Sequence, residues 1–68
     1  MTDRVEILGC IKDFYEAYGY YPSQRELAET VGIALSGINR YLHILEAEGR
    51  IKFLPVGGRN IRVIERKP

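Results

Sequence analysis

The stretch from Leu35 to Arg50, LSGINRYLHILEAEGR, holds the side chains of this chain best suited to reading a hydrogen-bonding surface. The guanidinium of Arg40 can donate two parallel hydrogen bonds to a guanine, the amide of Asn39 can pair with an adenine in the same bidentate way, and Ser36 at a helix start can bind phosphate. Between them lie Ile38, Tyr41, Leu42 and Leu45 at the spacing of one helix face. Ser36, Gly37, Asn39, Arg40 and His43 therefore turn away from a core. Taken alone, that polar face is equally an ordinary solvated helix surface.

The residues that follow add charge. Residues 1–49 carry four basic and eight acidic side chains, a net −4, whereas residues 50–68 carry six basic side chains against Glu65 alone, a net +5. A basic tail on an acidic body points to an anionic partner, and the chain's overall +1 conceals it. Arg50, Lys52, Arg59 and Arg62 come directly after the candidate reading helix, and Gly57-Gly58 would let backbone amides approach phosphate. The competing reading of these cations is a solvated hairpin whose charges discourage edge pairing. The concentration of acidic residues in the preceding helices favours the nucleic-acid reading.

Other chemistry fails on residue types. Cys10 and His43 are the only thiol and imidazole and fall on different helices, and Cys10 between Leu8 and Ile11 reads as a small, partly buried hydrophobe. One cysteine allows no intrachain disulfide, and one histidine is a poor metal site. No carboxylate pair stands out, so neither catalytic residues, nor a metal, nor a cofactor, nor a small-molecule ligand is expected. The start MTDRVE is charged within three residues and no long apolar run follows, so no signal peptide or membrane span is expected, and the composition suits the cytoplasm.

At 68 residues the chain has room for one small domain over 1–68. Leu8, Ile11, Tyr15 and Tyr18, widened by Ile7 and Phe14, predict a first helix over about 3–18, capped by Thr2 or Asp3 and stopped by Gly19, with Tyr15 and Tyr18 on its inner face. Tyr20 and Tyr21 read as a staple against Leu27, or as hydroxyls able to touch a DNA backbone. Pro22 forces Tyr21 to be extended, and Ser23 with Glu26 three residues on makes a capping box for a second helix over about 23–31, ended by Gly32. A third helix, capped by Ser36, spans about 36–48 and ends at Gly49; the inner stripe includes Tyr41. Ile51, Phe53, Ile61 and Val63 then alternate with Lys52 and Arg62, which predicts a hairpin over about 50–64 whose glycine-rich loop, Pro55 to Asn60, carries Arg59 at its tip. The fold class is mainly α with a small β-hairpin: a three-helix winged helix-turn-helix. Ala28 is small where the two helices of the motif approach, and Ile38 and Tyr41 pin the second to the first.

With the features in this order, GYYPSQRELAETVG followed by RYLHILEAEGRIKFLPVGGRNIRVI resembles the N-terminal DNA-binding domain of LexA-type repressors. That family opens its second helix with Gly-x-x-Pro-[Ser/Thr]-x-x-Glu-[Ile/Leu], closes its third with Leu-x-x-Leu-x-x-x-Gly and ends its wing in Ile-x-[Val/Leu]. The resemblance covers residues 5–64 and implies sequence-specific binding of double-stranded DNA in transcriptional regulation, with the third helix in the major groove and the basic wing on the backbone. The expected DNA-binding set is Ser23, Gln24, Arg25, Ser36, Gly37, Asn39, Arg40, His43, Lys52, Arg59, Asn60 and Arg62. Two departures stand out: the link from Gly32 to the third helix is about one residue shorter, and the base-reading residues differ, so the family's operator does not carry over. The serine–lysine protease domain that follows in LexA-type repressors is absent from these 68 residues, so self-cleavage is not implied. The expected state is a monomer in solution able to dimerise on DNA. The alternative is a winged-helix protein-interaction module, an adaptor or antirepressor; a third reading is an RNA-binding or nucleoprotein subunit.

Overall fold

The computed structural model describes residues 3–53 and 61–64. Helices α1 (Arg4–Tyr18), α2 (Gln24–Val31) and α3 (Leu35–Ala47) precede strands β1 (Ile51–Phe53) and β2 (Ile61–Val63). The strands pair antiparallel, with Ile51 opposite Val63, Lys52 opposite Arg62 and Phe53 opposite Ile61. Three helices closed by a two-stranded hairpin are the winged helix-turn-helix the periodicity predicts. The expected hairpin loop, with Arg59 and Asn60, lies outside the described residues.

Local chemistry sets most of the helix ends. Asp3 is extended, and its carboxylate accepts the N–H groups of Val5 and Glu6 at 3.0 and 3.1 Å, which caps α1. Ser23 forms the full capping box: its hydroxyl accepts from the Glu26 N–H at 3.1 Å while its own N–H donates to Glu26 Oε1 at 2.9 Å. Pro22, not a tyrosine, takes the stapling position before the cap, fully buried four residues after Tyr18 and five before the equally buried Leu27. Gly32 (φ 84°) and Gly49 (φ 75°) take the left-handed conformation at the exits of α2 and α3. After α3 the Arg50 N–H donates to the Leu45 carbonyl and the Gly49 N–H to that of Glu46, both at 3.0 Å, which turns the chain straight into β1.

The start of α3 departs from expectation. Ser36 does not cap it; the helix begins at Leu35 with Ala34 in the capping position and no side-chain bond there. Ile33 and Ile38 occupy the two positions of a hydrophobic staple around Ala34, Ile38 fully buried and Ile33 packed on the core, so apolar burial sets the helix start in place of a capping oxygen.

Every element contributes to one core: Ile7, Leu8 and Ile11 from α1, Leu27 and Ala28 from α2, Ile38, Leu42 and Leu45 from α3, Ile51 and Ile61 from the strands. Cys10 and Tyr41 are partly buried against it, as expected, and so is Val31. Tyr15 and Tyr18 are not: they are 45% and 61% exposed. The last turn of α1 runs past the edge of the core, so a continuing helical stripe there has no partner layer to bury it.

Candidate nucleic-acid interface

Ser36, Arg40 and His43 lie one turn apart on α3 and are all exposed. Their orientation is fixed from behind by the fully buried Ile38, Leu42 and Leu45. Among the described residues no carboxylate pairs with Arg40. His43 Nδ1 lies 3.9 Å from Glu46 Oε1, both side chains exposed.

Two residues expected on that face are half-buried instead. Asn39 turns toward α2, where its Nδ2 donates to Gln24 Oε1 at 3.3 Å, a brace between the two helices of the motif. Gly37 is covered by Ile33, whose Cδ1 would lie 3.4 Å from a Cβ added there. Both follow from the angular spread of the helix: positions flanking the outermost line meet the neighbouring element as soon as α2 packs close.

At the start of α2, Ser23 and Gln24 are half-buried and engaged in these bonds, while Arg25 is exposed. On the hairpin, Lys52 and Arg62 face each other across the strands on the solvent side, with Ile51 and Ile61 buried on the other. The Arg62 guanidinium lies 5.7 Å from the centre of the half-buried Tyr21 ring. Arg50 is different: its Nε lies 3.5 Å from Glu48 Oε1, and Glu48 also accepts from Arg4 Nε at 2.8 Å, so this cation serves a junction between α1, α3 and the hairpin. Arg59 and Asn60 lie outside the described residues.

The sequence reading missed two features. Leu35, outside the helix expected over about 36–48, is the first residue of α3 and 45% exposed beside Ser36. The contact of Tyr21 with Arg62 joins residues 41 positions apart, for which no local pattern exists. Among the described residues no group of three His, Cys, Asp or Glu could hold a metal, and no helix is long and apolar enough to cross a membrane.

An exposed polar face on the second helix of a helix-turn-helix, beside a hairpin with two opposed cations, defines a winged helix-turn-helix domain. Residues 1–60 match the LexA DNA binding domain family, and the chain belongs to it. It is 36% identical over 62 residues to the LexA repressor of Methylococcus capsulatus, across 90% of this chain and 31% of that protein. It is 43% identical over 61 residues to the LexA repressor of Halalkalibacterium halodurans, across 88% of this chain and 30% of that protein, and 43% identical over 60 residues to that of Shouchella clausii, across 87% and 29%. The chain thus spans about a third of the length of these relatives.

Proposed function

We propose that this chain binds duplex DNA as the reading domain of a LexA-like transcriptional repressor, with α3 in the major groove and the hairpin wing along the backbone. The observation that carries the reading is the joining of two surfaces: the exposed Ser36–Arg40–His43 line, held rigid by a buried stripe, and the Lys52–Arg62 cation pair, which no carboxylate opposes among the described residues. The short segment from Tyr21 to Gln24 links them, touching Arg62 at one end and Asn39 at the other.

In this reading Arg40 and His43 address base edges and Leu35 suits a thymine methyl. Asn39 reads an adenine only at the cost of its bond to Gln24, so it also serves as a brace that sets the pitch of α3. Ser36 and the two uncapped N–H groups of Leu35 and Ser36 suit a phosphate, as do Ser23, Gln24 and Arg25 at the start of α2. Lys52 and Arg62, with Arg59 and Asn60 from the sequence between the two strands, act on the backbone without selecting sequence. The function is binding and not catalysis, exerted in the cytoplasm by a monomer that dimerises on a palindromic site.

The test is titration of random duplex DNA at low and moderate salt, followed by selection of bound sequences from a random pool. Steep loss of affinity with salt and a recovered consensus support the reading. Absence of binding at both salt concentrations overturns it in favour of a protein-interaction module.

A further inference from the structure

Five aromatic rings gather where α1 ends and α2 begins. Tyr15 lies tilted against Tyr21 with ring centres 4.3 Å apart, Phe14 lies 4.5 Å from Tyr18 and 5.8 Å from Tyr20, and Tyr18 lies 6.1 Å from Tyr20. Tyr15, Gly19, Tyr20, Tyr21 and Arg62 surround a cavity of about 370 Å³. Tyr15, Gly19, Tyr20 and Arg62 are exposed, so the cavity is an open notch and not an enclosed pocket for a small molecule.

The charge at this notch is unbalanced. Arg62 stands directly opposite Lys52, and like charges so placed repel across a strand pair. Among the described residues two contacts hold Arg62, the ring of Tyr21 and a 3.4 Å bond to the carbonyl of its neighbour Ile61, and neither cancels its charge. Among the described residues no carboxylate pairs with Arg62 or Lys52. A guanidinium has five N–H donors, and with one spent on the Ile61 carbonyl and the ring face offering no acceptor oxygen, the others remain for a phosphate.

We propose that this notch seats a backbone phosphate of duplex DNA outside the base pairs facing α3. Arg62 is the donor, Lys52 supplies the neighbouring charge, and Tyr21, backed by Tyr15, is a positioning residue that holds the guanidinium. The volume exceeds that of a phosphate alone and leaves room for the adjoining deoxyribose against the tyrosine rings. The seat rests on the DNA-binding reading above and extends its footprint to the far end of α1. Because Tyr21 lies three residues before Gln24, which holds Asn39, a phosphate held here also sets the register of α3 along the groove.

The test uses the duplex recovered by selection, with single uncharged methylphosphonates stepped along both strands. Wild-type protein should lose affinity several-fold at one position outside the selected bases, and Arg62→Gln should bind all duplexes more weakly, with a salt slope lower by about 1, yet be indifferent to that position. Tyr21→Phe, which keeps the ring, should retain the wild-type profile, whereas Tyr21→Leu should show the Arg62→Gln profile. Should Tyr21→Leu prove unfolded by circular dichroism, Arg62→Gln alone decides. An Arg62→Gln profile identical to wild type overturns the seat and leaves DNA binding intact. Failure of the wild type to bind any duplex overturns both. If inorganic phosphate perturbs the Tyr21 and Arg62 resonances while no duplex position is affected, the notch serves a free anion and the proposal is wrong.

Discussion

Arg40 stands one turn beyond Ser36 on an exposed line, with three fully buried side chains behind it and no opposing carboxylate among the described residues. A guanidinium so placed gains its bonds only from a partner, and removing it leaves the fold undisturbed. Arg40→Ala should cost about 1 to 3 kcal/mol at the selected site and relax one base preference, read by repeating the selection on the variant. Cys10 behaves oppositely. Burial first, then the nearby carboxylates of Asp13 and Glu6, push its thiol above the ordinary range. The unfolded chain then ionises first, so stability is unaffected at neutral pH and falls as pH rises from the ordinary thiol range through the raised value. Denaturant unfolding across alkaline pH should show this extra fall in the wild type and its loss in Cys10→Ala.

At the scale of elements, α3 carries the most consequence because it serves core and partner at once. Its first turn lacks a capping side chain at Ala34, although Asp3 and Ser23 cap the other two helices. An exposed helix start left uncapped loses stability that a serine or aspartate would restore, about 0.5 to 2 kcal/mol. Ala34→Ser should therefore raise the thermal midpoint. Ala34→Asp should raise it too, yet weaken DNA binding by placing a negative charge where a phosphate would approach; a variant that gains in both properties would show that the start of α3 is not in the interface. The hairpin serves both ends as well. Ile51 and Ile61 anchor it in the core, which a strand pair this short requires, and the alternate positions Lys52 and Arg62 are thereby fixed on the solvent side.

At the scale of the molecule, the division of charge matters more than its total. Eight carboxylates fall in residues 1–49 and six cations in residues 50–68, and among the described residues Lys52 and Arg62 stand exposed on the hairpin, the end a polyanion is expected to approach. Lys52→Ala should weaken specific and random duplexes alike and reduce the slope of log K against log salt by about 1. This uniform loss distinguishes it from Arg40→Ala, and titrations of both variants on both duplexes at several salt concentrations separate the roles. If both variants bound as the parent does, the assignment of reading helix and backbone wing would fail.

How far the chain could be read without its structure depended on the range of each interaction. The ends at Asp3, Gly19, the Ser23–Glu26 box, Gly32 and Gly49 were legible, because each rests on bonds or dihedral preferences within a few residues. The inner stripe of α3 and the strand alternation were legible for the same reason: periods of 3.6 and 2 dictate which side chains share a face. The winged helix-turn-helix class followed from those faces.

Tertiary structure alone decided how far each layer extends. Tyr15 and Tyr18 continue a correct helical stripe beyond the point where other elements can cover it, so they are exposed. Asn39 keeps its place on the polar side in sequence, yet the close approach of α2 draws it into a bond with Gln24. Helix α3 starts at Leu35 because burying Ile33 and Ile38 outweighs a serine cap two residues beyond Ala34. Arg62 meets Tyr21 only because the chain returns, 41 residues on, to the end of α1. Sequence determines what each turn of chain prefers through nearest neighbours; burial, and the contacts that burial forces, depend on which surfaces arrive from elsewhere.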